Sequence, residues 1–77
     1  ALASYYGKRG VRVNCLSPGG YNPSGPQLFA ERYAERCPLG RMMDGQDIQG
    51  AIVFLASDAS SYVTGANLSV DGGWTAI

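Results

Sequence analysis

The stretch GVRVNCLSPGG, Gly10–Gly20, decides how the chain is read. Val11, Val13 and Cys15 alternate with Arg12, Asn14 and Leu16, and the β-branched residues lie between a glycine and a proline. That pattern predicts a strand over Val11–Leu16. A run of chain-breakers follows: Pro18, Gly19, Gly20, Pro23, Gly25 and Pro26. Gly19 and Gly20 would let the backbone pass close to a flat ligand and adopt dihedrals that other residues resist. Pro18 would set the direction of exit. A surface turn with no ligand fits the same spacing.

Downstream, Asp44 can cap a helix, with Asp47 in the first turn where an acid is favoured. Ile48, Ala51, Ile52, Leu55 and Ala56 recur at helical spacing, and Val53 and Phe54 widen the apolar face. This predicts a helix over Asp44–Ser57. Asn67–Asp71 reads as a short strand that Gly72 and Gly73 stop. Strand, helix, strand in that order implies a crossover between parallel strands, hence an α/β sheet. The intervening segment 17–43 exceeds the length of about 12–15 residues beyond which loops are usually functional or disordered. It carries a helix of its own, with Pro26 at the first helical position and Pro38 at its end. Phe29, Tyr33 and Cys37 mark one face of it, and Arg32 and Glu35 the other. Such an excursion from the carboxyl end of a strand is how a lid is built, and ligands of open parallel sheets bind there. Upstream, ALASYYGKRG reads as the tail of a helix stopped at Gly7 or Gly10, so the chain reads as a segment of a longer protein.

Seventy-seven residues make at most one small domain. Six Lys and Arg balance six Asp and Glu, leaving no basic field for nucleic acid or an anionic membrane. The longest apolar run, AIVFLA, is too short to span a bilayer. Cys15 and Cys37, with no His in the chain, make neither a disulfide framework nor a zinc site. They read as reduced, half-buried thiols of a cytoplasmic protein. No His is present to activate a thiol or a serine, and no G-x-S-x-G elbow occurs, so Asp58, Ser60 and Ser61 read as turn and cap residues.

Taken in order, R-V-N at Arg12–Asn14, S-P-G at Ser17–Gly19, P-L-G-R-M at Pro38–Met42, F-L-A-S-D, Y-V-T-G and V-D-G-G-W resemble the C-terminal third of a short-chain dehydrogenase/reductase. The likeness covers nearly the whole chain and is weakest over Tyr21–Cys37. It implies that residues 1–77 are the C-terminal βαβ portion of a Rossmann-like doubly wound parallel sheet. Val11–Leu16 would be its sixth strand, Asn67–Asp71 its seventh, and 17–43 the substrate and cofactor lid.

The resemblance also implies a cofactor, NAD or NADP. Pro18 and Gly19 would face the nicotinamide, Gly20 would lie in the same turn, and the backbone of Tyr21 would bond the carboxamide. Where the family often has a Thr, this chain has Pro23 followed by Ser24. The substrate would be a small carbonyl or alcohol, met by Leu28, Phe29 and Tyr33 of the lid. The Tyr and the Lys four residues later that pass the proton in the family have no match here: Tyr5 and Tyr6 stand three and two residues before Lys8. The chain alone would therefore be inactive. The helix Asp44–Ser57 and the strand Asn67–Asp71 would pair with a second subunit in a homodimer or homotetramer. The alternative is a non-catalytic module that joins a full-length family member through the same elements.

Overall fold

The computed structural model describes residues 1–76. Two parallel strands, β1 (Cys15–Pro18) and β2 (Asn67–Val70), pair in the register Cys15↔Asn67 through Pro18↔Val70. Helix α1 (Leu2–Tyr6) precedes β1, α2 (Gln27–Arg36) occupies the excursion, and α3 (Gly45–Ala56) leads back to β2. The strand-helix-strand order thus does produce a parallel pair.

The first strand lies further along the chain than the alternation placed it. Val11–Asn14 is unladdered because the chain opposite it, Val63–Ala66, is bonded by side chains. Asn14 donates from Nδ2 to the Val63 carbonyl (2.9 Å) and accepts at Oδ1 from the Ala66 N–H (3.0 Å). Val13 donates its N–H to Thr64 Oγ1 (3.1 Å) and accepts from the Gly65 N–H (2.8 Å). Those bonds satisfy the backbone that a ladder would otherwise serve. Pro18 is tolerated in β1 because flanking donors toward β2 come from Cys15, to Ala66, and Gly19, to Val70, both at 2.8 Å. The missing N–H of Pro18 therefore lies on the outward side. β2 stops at Val70, before Asp71, since Gly72 and Gly73 take positive φ of 64° and 91°.

Helix α3 starts as its sequence directs. The Asp44 carboxylate accepts from the N–H groups of Gln46 (2.9 Å) and Asp47 (3.2 Å), and Asp47 reaches back to the Asp44 N–H (2.8 Å), a reciprocal capping box. Ile48, Ala51 and Leu55 form its half-buried stripe, and the helix lies against both strands. Its far end is held by Arg12. That guanidinium donates to the carbonyls of Leu55 (2.9 Å), Ser57 (3.3 Å) and Val63 (3.2 Å) and to Ser60 Oγ (3.0 Å). Ser60 is 1% exposed and also donates back to the α3 end, which is the cap role its sequence suggested.

One further boundary is corrected, and one choice between alternatives is decided. Pro26 is extended (φ −61°, ψ 136°) and precedes α2 as its N-cap instead of filling the first helical position. Gly7 stays helical (φ −56°), so the stop after α1 is Gly10, at φ 78°. The two thiols differ: Cys15 is exposed and Cys37 buried.

Cys37 is the one buried apolar residue among those described. The radius of gyration, 15.3 Å, exceeds the value of about 11 Å for a compact domain of this length. Taken alone, the 77-residue chain should show no cooperative thermal unfolding and should bind a hydrophobic dye, because a two-stranded sheet with one covered face is not self-supporting. Circular dichroism against temperature checks this; a sharp sigmoidal melt is the contrary result.

Candidate functional site

Beyond the carboxyl ends of β1 and β2 the chain surrounds a cleft of about 120 Å³. Its walls are Gly19 and Gly20 after β1, Val70–Gly72 at the end of β2, Tyr33 of α2, the returning segment Leu39–Met43, and Asp47 of α3.

The two glycines do not take the unusual dihedrals that the sequence left open to them. Neither has a positive φ; the glycines that do are Gly10, Gly40, Gly65, Gly72 and Gly73. A Cβ on Gly19 would stand 2.8 Å from the Asp71 Cα, and one on Gly20 would stand 2.5–2.8 Å from the outer atoms of the Tyr33 phenol. What crowds these positions is this chain's own backbone and lid.

Tyr33 ties the lid to that turn. Its hydroxyl oxygen accepts the Gly20 N–H at 2.9 Å. Its ring stacks on Trp74, with centroids 4.4 Å apart and planes 13° from parallel. Trp74 is held by the loop after β2. Asp71 accepts from the N–H groups of Gly73 (3.0 Å) and Thr75 (3.3 Å) and from the Thr75 hydroxyl (2.7 Å). The Thr75 hydroxyl foremost, aided by the two N–H groups, holds the Asp71 carboxyl below the usual carboxylate range.

The lid returns along the same loop. The Cys37 thiol points at the carbonyls of Gly72 (3.5 Å) and Asp71 (3.8 Å), and Leu39 donates its N–H to Gly72 (3.0 Å). Gly40, at φ 77°, turns the chain, and Met43 donates its N–H to the Gly20 carbonyl (2.8 Å), forming a parallel bridge with Tyr21. In such a bridge the N–H of Tyr21 itself points away from Met43.

Arg41 binds Asp47 through both nitrogens, at 2.6 and 2.9 Å. That bond first, and the Asp44 N–H second, lower the Asp47 carboxyl from 3.8 to about 2. A depressed folded-state pKa adds stability above the unfolded value and loses it as pH falls through the folded one. The Asp47 contribution should therefore fade between about pH 4 and pH 2. Melting temperature against pH, for wild type and Asp47→Asn, checks this: the acid slope in that window should flatten in the variant. An identical slope is the contrary result. Both side chains are solvated, so added salt should shrink the difference.

Of the residues singled out from sequence, Gly19, Gly20 and Tyr33 meet in the cleft. Pro18 ends β1 beside it, and Tyr21, 54% exposed, stands opposite Met43. Leu28 and Phe29 are exposed and line a separate open groove on the far side of α2, together with Tyr33 and Trp74. Sequence reasoning gave no site role to Arg41, Asp47 or Asp71. The signals were an Arg just ahead of a helix with an acid in its first turn, and an Asp-Gly-Gly followed by Thr75. Tyr5 packs edge-on against Tyr6 and carries Arg9 over its ring at 4.9 Å, away from the cleft.

A family model described as enoyl-(acyl carrier protein) reductase matches residues 1–75. The chain is 46% identical to galactitol 2-dehydrogenase (L-tagatose-forming) of Cereibacter sphaeroides, over 97% of its own length and 32% of that protein's. It is 41% identical to 2-(S)-hydroxypropyl-CoM dehydrogenase 3 of Xanthobacter autotrophicus, covering 99% of the chain and 34% of the relative. Among solved structures it superposes on a short-chain dehydrogenase from Leptospira borgpetersenii with bound NAD+ (TM-score 0.90, 47% identity, 96% of this chain, 29% of that one). It also superposes on a Beutenbergia cavernae chain described as an NAD(P)-dependent gluconate 5-dehydrogenase with bound NADP (TM-score 0.87, 44% identity, 99% and 33% covered). The chain thus spans about a third of the length of the proteins it matches.

Proposed function

The chain belongs to the short-chain dehydrogenase/reductase family, and from that premise we propose that it is the C-terminal portion of an NAD- or NADP-dependent oxidoreductase interconverting a small carbonyl and an alcohol. The observation that carries the reading is the turn Pro18–Tyr21. It leaves the carboxyl end of β1 beside the end of β2, with the lid residue Tyr33 bonded onto it. Ligands of parallel sheets sit at that edge.

Bound there, the cofactor supplies hydride chemistry. The residues fit such a group from one side only. Asp71 and Tyr33 occupy the space next to the missing Cβ of Gly19 and Gly20, so a nicotinamide would be held by Pro18 and the Tyr21 backbone rather than at those two Cβ positions. Pro18 would form the edge of that site, and the Tyr21 N–H, which no acceptor among the described residues takes, would bond the carboxamide. The lid 17–43 covers the substrate, with Leu28 and Phe29 exposed on α2. The acid-base pair comes from residues outside this chain, which is why the chain alone is inactive. A single Rossmann-like domain would join this βαβ unit to the rest of the sheet. Ile52, Val53 and Phe54, which are 51%, 65% and 41% exposed on α3, support a subunit contact made by α3 and β2.

The test is to express the complete reading frame that holds this chain. NADH and NADPH oxidation is followed with a panel of small ketones, and the mass is read by size exclusion with light scattering. Reduction of at least one ketone by a dimer or tetramer is expected. A product that binds neither cofactor overturns the reading; if that product still captures a full-length family member, the non-catalytic module replaces it.

A further inference from the structure

We infer that the Tyr33 hydroxyl is the hydrogen-bond donor that selects an uncharged oxygen on the substrate, which makes Tyr33 a specificity-determining residue; the inference rests on the dehydrogenase reading above. The hydroxyl oxygen already accepts the Gly20 N–H at 2.9 Å. A phenol has one proton to give, and among the described residues none accepts it. Ring and oxygen are both fixed, the ring by Trp74 at 4.4 Å and the oxygen by Gly20, so the proton has a set direction. Gly20 must stay bare for this, because a Cβ there would stand 2.5 Å from the ring.

The charges around the cleft identify the partner. Arg41 is spent on Asp47, nitrogen against oxygen at both forks. Asp71 is spent on its own loop at both oxygens. Among the described residues that line the cleft, no cation is left to take a carboxylate and no carboxylate is left to take an amine. Leu39, Met42, Met43 and Val70 supply apolar wall. A single aimed O–H in such a wall favours a ligand carrying a neutral hydroxyl or carbonyl and rejects one that leaves the donor unpaired.

The experiment uses the full-length enzyme and three probe alcohols: 2-butanol, 2,3-butanediol and 3-hydroxybutyrate. Wild type should prefer the diol to 2-butanol by about tenfold in kcat/KM, the worth of one well-made hydrogen bond, and should treat hydroxybutyrate no better than 2-butanol. Tyr33→Phe keeps the stack and should bring the diol preference to near unity, whatever the lost Gly20 bond does to the cofactor Kd. Trp74→Leu keeps the hydroxyl but frees the ring, and should erase part of the preference. A diol preference that both variants retain overturns the inference. So does wild-type preference for the carboxylate, or cofactor binding without turnover of any probe. Failure to bind either cofactor instead overturns the dehydrogenase reading itself.

Discussion

Replacing Arg12 with Ala in the full-length protein lowers its stability by about 3 kcal/mol and its melting temperature by roughly 10 °C. One guanidinium serves the carbonyls of Leu55, Ser57 and Val63 and the hydroxyl of Ser60. Three of these are the end of α3 and the turn that follows, where helix carbonyls have no partner of their own. Ala removes the charged donor from all four acceptors, leaving Leu55 and Ser57 to the neutral Ser60 donors and Val63 to Asn14, and Ser60 is too buried for water to take the guanidinium's place. Arg12→Lys should recover little, since an ammonium cannot span acceptors laid out for a planar fork. Thermal unfolding of the three proteins checks the expectation. A loss within about 0.5 kcal/mol, the range of ordinary surface changes, would show the network to be dispensable.

Gly19→Val is the second large effect, and it falls on the fold. The new Cβ would stand 2.8 Å from the Asp71 Cα and 3.4 Å from its carbonyl carbon. Backbone cannot swing aside as a side chain can, so the ends of β1 and β2 must part, breaking the bond from Gly19 to Val70. Overpacking of this kind costs about 1–3 kcal/mol, and the lost strand bond adds about 1 kcal/mol. Melting temperature and cofactor Kd should be measured together. A normal melting temperature with lost cofactor binding would reverse the assignment and make the glycine a ligand contact.

Much of the fold is legible because its signals are local. Asp44 and Asp47 declare the start of α3 three residues apart, and the structure forms the box they spell. Val11 and Val13 also look local but misplace β1, because a strand exists only where a partner supplies a ladder, and Asn14 and Thr64 intercept it. The same holds for the site. Gly19 and Gly20 announce a close approach without saying by what; within this chain the neighbours are Asp71, far along the sequence, and Tyr33, beside the turn. Arg41 carries no periodicity at all; only its distance to Asp47 reveals it. Position in sequence puts Leu28 and Phe29 on the lid, and the turn of α2 carries them to a second groove that Tyr33 and Trp74 also line.

The bonds that join Asn14 to Ala66 span 52 residues, and this has a consequence for the order of assembly. Helix α3 is defined by its own capping box and stripe, so it can form while the chain is short. β1 cannot make its bonds to β2 until Asn67–Val70 exists. During synthesis the β2-facing edge of β1 therefore stays bare until Asn67–Val70 has emerged. Closing so long a loop is slow and comes late on the folding route. Losses at Arg12 should then appear mainly as faster unfolding, with the folding rate little changed.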